Sequence, residues 1–341
     1  MHSDNNWYGH RFILLKYLEI RENLSIFGSL QHGVHFEKFF EIEANQDGRT
    51  LNFVPRLCWN KITEKITKKK GDKNIISIGS PFLYLVKILD SQVYNKKIKK
   101  YNGTLLFLTH SDADHKTDTS DIRDIKRTVN KIEKENKGPY TVCFFYTDLN
   151  NKNSFNFFKD RKWNIVCAGN KNDDLMLFKV HNLIMTHEKC IFTDFMSPLF
   201  YSMYLKKKTQ FITESVKPLV AIMDKKILDD MNKVRIVKHH YFIDHYKKKF
   251  PSLFKDHIDI TQGYEHSKRY LGYDCLKTKK ELKIILGWDS FFKKKLAKLF
   301  AFLLDIKFGK NIRIGKPSVK KNLDRLYRYN VNLKELNNKQ F

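Results

Sequence analysis

Short apolar runs alternate with longer polar stretches through the middle of the chain. Runs near residues 24–30, 74–78, 104–109, 140–146, 163–167, 183–185, 190–192 and 210–213 have the length and composition of strands. The stretches between them carry helical spacing. Over 119–137, Ile122, Ile125, Val129 and Ile132 recur at intervals of three and four behind a capping Thr119 or Ser120, which predicts an amphipathic helix. Strands alternating with helices in this way predict βαβ units on parallel sheets, an α/β fold. A basic, strand-free segment at 93–101 precedes the run that restarts the alternation. The expected division is a first Rossmann-like lobe at 1–95, a second at 101–225, and a helical, basic region at 231–341 that packs across the lobes or on a membrane.

Length agrees with two lobes, since 341 residues exceed what one core ordinarily serves. Charge adds more: 64 Lys and Arg against 37 Asp and Glu leave a formal +27, which points to a polyanionic partner. Nucleic acid and an anionic membrane surface both fit. The lysines fall in scattered triplets and pairs, such as Lys68-Lys69-Lys70, Lys206-Lys207-Lys208, Lys247-Lys248-Lys249 and Lys293-Lys294-Lys295, with no basic arm and no nucleic-acid motif, which favours the membrane over nucleic acid. Solvated helix faces explain such runs equally well.

Cys58, Cys143, Cys167, Cys190 and Cys275 are odd in number, widely spaced and set in apolar segments, the pattern of reduced core thiols in a cytosol. The first ten residues, MHSDNNWYGH, carry no signal-peptide pattern, and the longest apolar run, 299–304, is too short to span a bilayer. The expectation is a cytoplasmic protein held peripherally at the inner membrane. Residues 291–308, FFKKKLAKLFAFLLDIKF, place Phe292, Leu296, Leu299, Phe300, Leu303 and Ile306 at spacings of three and four beside lysines. That helix suits a core position across the lobes or a berth on anionic lipid.

Three constellations carry candidate chemistry. Ser29-Leu30-Gln31-His32-Gly33 ends an apolar run; ligands of open α/β sheets bind beyond the carboxyl ends of strands, and Gly33 there allows close backbone approach. His32 suits a general base for an acceptor hydroxyl or a phosphate ligand, and a structural histidine is the plain alternative. Thr109-His110-Ser111-Asp112 ends a second strand ahead of the 119–137 helix, where His110, Ser111 and loop amides would hold a diphosphate. Thr193-Asp194-Phe195-Met196-Ser197 ends a third strand directly before a helix: Thr193 and Ser197 suit donors to phosphate or ribose, and Asp194 either fixes the turn or accepts from a hydroxyl. Asp112 and Asp114 form D-A-D, the only pair resembling a donor-metal motif, and metal-independent chemistry is expected.

The segment Phe192-Thr193-Asp194-Phe195-Met196-Ser197 resembles the T-D-[YF]-S-S motif of the CDP-glycerol glycerophosphotransferases of teichoic acid synthesis and related GT-B capsule enzymes, with Met196 in place of the first serine. Ser29-Leu30-Gln31-His32-Gly33 resembles the W-H-G segment of that group, with Gln31 at the tryptophan position; the resemblance implies that His32 is the catalytic base. Thr109-His110-Ser111 is similar to the phosphate motif of bacterial sialyltransferases and Kdo transferases, and Gln46-Asp47-Gly48 to the acidic motif that carries the base in sialyltransferases, which makes Asp47 a reserve base. Tyr270–Asp274 and the run 280–288 look like the C-terminal region of capsule and lipopolysaccharide cluster proteins.

These resemblances imply a GT-B glycosyltransferase with two lobes facing a cleft. It would move a sugar from a nucleotide donor, a CMP-sugar favoured, to a glycan or lipid-linked glycan acceptor in capsule or lipopolysaccharide synthesis, without a cofactor. A CDP-polyol phosphotransferase and a basic nucleic-acid-binding protein are the alternatives.

Overall fold

The computed structural model describes residues 7–34, 55–69, 71, 73–91, 103–109, 122–146, 148–212 and 246–308. Three strands, β1 (Ser29–Leu30), β2 (Arg56–Cys58) and β3 (Ile75–Ser77), form one parallel sheet in that order. Five more, β4 (Thr104–Phe107), β5 (Tyr140–Phe144), β6 (Asn164–Cys167), β7 (Lys189–Phe192) and β8 (Lys208–Phe211), form a second sheet, ordered β6-β5-β4-β7-β8 and parallel throughout. The described helices are α1 (His10–Tyr17), α2 (Lys61–Lys69), α3 (Pro81–Ser91), α4 (Ile122–Glu135), α5 (Lys152–Asp160), α6 (Met176–Thr186), α7 (Ser197–Tyr204), α8 (Ile260–Leu271), α9 (Lys279–Ile285) and α10 (Phe291–Phe308). The fold is α/β with two parallel sheets, as the alternation of apolar runs predicts.

Three local expectations need correction. Residues 183–185 belong to helix α6, whose buried Leu177, Phe178, Val180, His181 and Ile184 lie on one helical stripe. A three-residue apolar run has the same look in a strand and in a buried helix. Strand β2 was not foreseen, because Pro55 stands immediately before it and reads as a break. The run 24–30 is extended into a ladder only at Ser29 and Leu30; Gly28 precedes them with φ +152, where a Cβ would press on the Pro55 carbonyl at 2.9 Å.

Alternation along the second sheet sorts its side chains into two cores. Leu106, Leu108, Val142, Phe144 and Ile191 face outward, where Ile125, Val129 and Ile132 of α4 and Phe158 of α5 cover them. Leu105, Phe107, Cys143, Cys190 and Phe192 face inward, in one core with Leu30, Leu57 and Ile78 of the first sheet. The two sheets therefore share a single apolar interior. At its centre Phe82 of α3 stacks on Tyr201 of α7, with centroids 4.0 Å apart and planes 10° from parallel.

The C-terminal segments tie the sheets together. Helix α8 packs on α7, and its end reaches the first sheet: Ser80 N–H donates to Leu271 O (2.8 Å) and Asn60 Nδ2 to Tyr270 O (2.9 Å). Gly272 caps α8 at φ +74, where a Cβ would collide with the Trp59 carbonyl oxygen. Further on, Phe27 N–H donates to Leu286 O (3.1 Å), and Trp288 Nε1 to Ser25 O (2.8 Å). Helix α8 thus links α7 to the first sheet, and the 280–288 run is bonded to the segment that leads into β1. All five cysteines are buried free thiols, and burial raises the pKa of Cys58, Cys143, Cys167 and Cys190. Among the described residues no helix is long and apolar enough to cross a membrane.

In the lysine run 206–208 the middle residue turns inward while Lys206 and Lys208 stay exposed. Lys207 Nζ donates to the Met185 and His187 carbonyls at 2.9 and 2.8 Å, closing the C-terminal end of α6. Lys208 pairs with Glu188 at 2.5 Å, and Lys206 lies 4.6 Å from the Tyr264 ring centroid. This run therefore serves the fold.

Two predictions test this architecture. Gly272→Ala meets both a left-handed backbone and a backbone oxygen, so it should cost at least about 1–3 kcal/mol in urea unfolding; an unchanged midpoint would refute the close approach. His10 and His181 are both buried, with pKa values lowered to about 3 and about 4, by burial first and then by the neighbouring charges of His32 and Lys207 respectively. Their unfolded forms take up protons below pH 6.5 while the folded forms stay neutral, so stability present above that pH is lost as pH falls towards 4. At pH 5 each should cost on the order of 2 kcal/mol. His181→Leu should flatten the stability profile between pH 7 and 5, and an equally steep profile would remove His181 from the acid sensitivity.

Candidate functional site

Strand order in the second sheet is 3-2-1-4-5 when counted along the chain, so successive connections reverse direction between β4 and β7. In such sheets the crevice at the carboxyl ends of the two central strands receives the ligand. Here those ends carry Thr109 and Thr193. Thr109 N–H donates to Thr193 Oγ1 (2.7 Å), the two hydroxyl oxygens lie 3.0 Å apart, and Thr193 N–H donates to Phe107 O (3.2 Å). The buried pair holds the strand ends together, which gives Thr193 a structural role at the base of the crevice.

Beyond Thr193 the chain turns into α7. Asp194 Oδ1 accepts from Phe195 N–H (2.7 Å), a bond within the turn. Pro198 occupies the first turn of α7, and Ser197 does not cap its own helix. Instead Ser197 Oγ accepts from Val34 N–H at 3.0 Å, across 163 positions of sequence. A Cβ on Gly33 would stand 3.6 Å from the same oxygen. The His32-Gly33 segment and the Thr193–Ser197 turn, separate motifs in the sequence, are one place in the fold.

The far side of this place is built on Gln31. Its buried amide accepts from Trp59 N–H (2.9 Å) through Oε1 and donates to Gly33 O (2.6 Å) through Nε2, while Trp59 Nε1 donates to Gln31 O (3.0 Å). The glutamine that departs from the W-H-G pattern thus clamps the ends of β1 and β2. Half-buried His32 lies edge-on to Trp7, with centroids 4.6 Å apart and planes at 60°, and its centroid is 6.4 Å from Tyr8. Trp7 and Tyr8 arrive through a 3-10 turn that leans on the loop after β6: Tyr8 N–H donates to Lys171 O (2.6 Å), and Lys171 Nζ lies 5.0 Å from the Trp7 ring centroid. Tyr8 is left-handed at φ 60, and Gly9 follows at φ 76, where a Cβ would collide with Asp174 O. His10 sits beneath, 5.7 Å from Trp59 and 5.9 Å from Tyr8 between centroids, with Nε2 unpartnered.

Trp7, Tyr8, His10 and Lys171 were not foreseen as site residues. Their only local signal is an aromatic pair directly ahead of Gly9 and His10. Asp47, His110 and Ser111 lie outside the described residues, as do Asp112 and Asp114. Among the described residues no three His, Cys, Asp or Glu side chains cluster as metal ligands.

No protein-family model matches the sequence, and no curated protein matches it. Among solved structures the chain is similar to the UDP-GlcNAc 2-epimerase of Methanocaldococcus jannaschii in complex with UDP-GlcNAc and UDP, at 14% identity and TM-score 0.31, over 48% of this chain and 46% of that one. It is also similar to the wall teichoic acid polymerase TagF, at 14% identity and TM-score 0.30, over 76% of this chain and 59% of the polymerase. A variant of that polymerase gives 11% identity and TM-score 0.31, over 80% and 63%. The chain spans less than two thirds of each of these structures. Superposition at this level assigns no activity, and the α/β description stands on strand pairing alone.

The buried threonine pair makes a direct prediction. Thr193→Val keeps the shape but leaves Thr109 N–H without its short partner, which should cost about 1–3 kcal/mol in chemical denaturation. Asp194→Asn retains an acceptor for Phe195 N–H and should cost less than half as much. Equal losses would mean that the turn, and not the threonine pair, holds the strand ends.

Proposed function

We propose that this chain is an inverting, metal-independent glycosyltransferase of the GT-B type. It moves a sugar from a nucleotide donor, a CMP-sugar favoured, to a glycan or lipid-linked glycan acceptor in capsule or lipopolysaccharide synthesis, at the inner face of an anionic membrane. The observation that supports it is the contact between the carboxyl end of β1 and the start of α7, where Val34 N–H meets Ser197 Oγ at 3.0 Å beside the crevice between β4 and β7. A base and an anion-binding helix start, drawn from two different sheets, then flank one space.

In this reading His32 takes the proton of an acceptor hydroxyl as that oxygen bonds to the anomeric carbon, with Asp47 as the reserve base. The bond from that carbon to the donor phosphate breaks on the opposite face, and the nucleotide leaves with the electron pair. Ser197, Gly33, His110 and Ser111 face its phosphates or ribose; Thr193 and Asp194 hold the turn that presents them. A CDP-polyol phosphotransferase is the second reading, favoured by a specific observation: the two segments in contact, His32-Gly33 and Thr193–Ser197, are the two that resemble the teichoic-acid transferases.

A donor screen scoring release of CMP, UDP, GDP or CDP separates these readings. Release of CMP from a CMP-sugar supports the first. Release of CMP from a CDP-polyol, with the polyol phosphate passed to the acceptor, supports the second. His32→Ala should lower kcat at least about 100-fold with nucleotide affinity within a few-fold, since a base acts in the transition state. Ser197→Ala should weaken the nucleotide in calorimetry. Activity within threefold of wild type in His32→Ala would remove that histidine from the chemistry, and a dead Asp47→Ala alone would transfer the role.

A further inference from the structure

Helix α10 is amphipathic in the wrong sense for a protein surface. Of the seven large hydrophobic side chains that stand exposed among the described residues, four lie in its first nine positions: Phe291 (72%), Phe292 (74%), Leu296 (37%) and Leu299 (53%). At about 100° per residue, Phe292, Leu296 and Leu299 fall within roughly 60° of one another and form one ridge. The opposite face meets the body of the protein. Ala297 is fully buried there, and Lys294 reaches Glu22 at 3.5 Å. A helix that packed its apolar ridge on the core and turned its lysines to water would show the reverse.

We propose that this ridge docks the protein on an anionic lipid bilayer, with Phe292, Leu296 and Leu299 entering the headgroup boundary and the lysines beside them meeting lipid phosphates. The helix holds five lysines and one aspartate. Lys293 and Lys295 flank the ridge on either side, and Lys295 and Lys298 are exposed, the former 4.5 Å from the Phe291 ring centroid. The ion pairs of Lys293 with Asp289 and of Lys294 with Glu22 are at the surface, where such pairs are weak and exchange readily for another anion. A second copy of the chain is a poor occupant: a two-fold contact on this ridge would bring the same lysines face to face in a protein of formal charge +27. An anionic interface satisfies the ridge and its flanks together. The inference rests on this helix alone, so it stands or falls separately from the transfer chemistry.

Flotation of the full chain with phosphatidylcholine vesicles, with and without phosphatidylglycerol, tests it. Wild type should float with the anionic vesicles, on the order of tenfold above neutral ones, and detach as salt is raised. The triple variant Phe292→Ser, Leu296→Ser, Leu299→Ser should lose on the order of tenfold in bound fraction while keeping the cooperative unfolding of the wild type, because these side chains are exposed in the folded chain. Lys295→Gln with Lys298→Gln should bind more weakly and with a shallower salt dependence. Undiminished flotation of the triple variant would place the contact elsewhere and overturn the proposal. So would equal flotation on neutral vesicles, or a dimer in gel filtration that the triple variant abolishes.

Discussion

The relative placement of the two sheets, and with it every distance across the crevice, depends on the apolar seam where Phe82 stacks on Tyr201. Tyr201 lies one turn after Ser197 on α7, so the residue that grips the first lobe and the residue that reaches β1 share a helix face. The Tyr201 hydroxyl, in turn, is hydrogen-bonded with Ser197 and Ser80. A single hydrogen bond such as Val34 to Ser197 contributes only about 0.5–1.5 kcal/mol. Burying two facing aromatic side chains contributes several kcal/mol by area before any stacking gain. The seam sets the geometry, and the hydrogen bond reports it.

On the β1 side a buried amide performs the equivalent task. Gln31 satisfies its own polar atoms by joining Trp59 N–H to Gly33 O, which fixes both the path of the chain after His32 and the wall behind it. A tryptophan at position 31 offers one N–H and no acceptor, so it could not make the same pair of bonds. The left-handed Tyr8 adds a local cost, offset by the hydrogen bond to Lys171 O and by the packing of Trp7 on His32, while Gly9 takes its φ of 76 without strain. Strain at that point brings an aromatic pair over the candidate base.

Much of the second sheet was legible in the sequence because its strands are buried on both faces and read as unbroken apolar runs: 104–109, 140–146, 163–167 and 190–192 all hold strands close to their expected limits. The first sheet was harder, since its strands are two and three residues long and Pro55 and Gly28 interrupt the pattern. His32, Gly33, Asp194 and Ser197 were legible as strand-end residues, because a strand's carboxyl end is a local feature. That they meet was not, since no pattern in either segment encodes a contact across 163 positions. Trp7, Tyr8 and Lys171 were invisible for the same reason, reaching the site by a tertiary crossing from the N-terminus and from the loop after β6.

Net charge divides on similar lines. A lysine triplet has one appearance in sequence and two fates in the fold, and the difference lies in whether carbonyls await it. At 206–208 the end of α6 presents the Met185 and His187 carbonyls, and Lys207 closes them as a capping cation. That same ammonium acts on the buried His181 and, after burial itself, helps to hold the imidazole neutral. A helix end that accepts a lysine therefore also adds to the burial that keeps a neighbouring histidine neutral, and the charge is bound to the stability of the core. At 293–295 the partners among the described residues are the surface carboxylates Asp289 and Glu22, and an exposed apolar ridge runs between the lysines. Lysines paired only with surface carboxylates, set along an apolar ridge that is exposed among the described residues, are what an external anionic and apolar phase would complete.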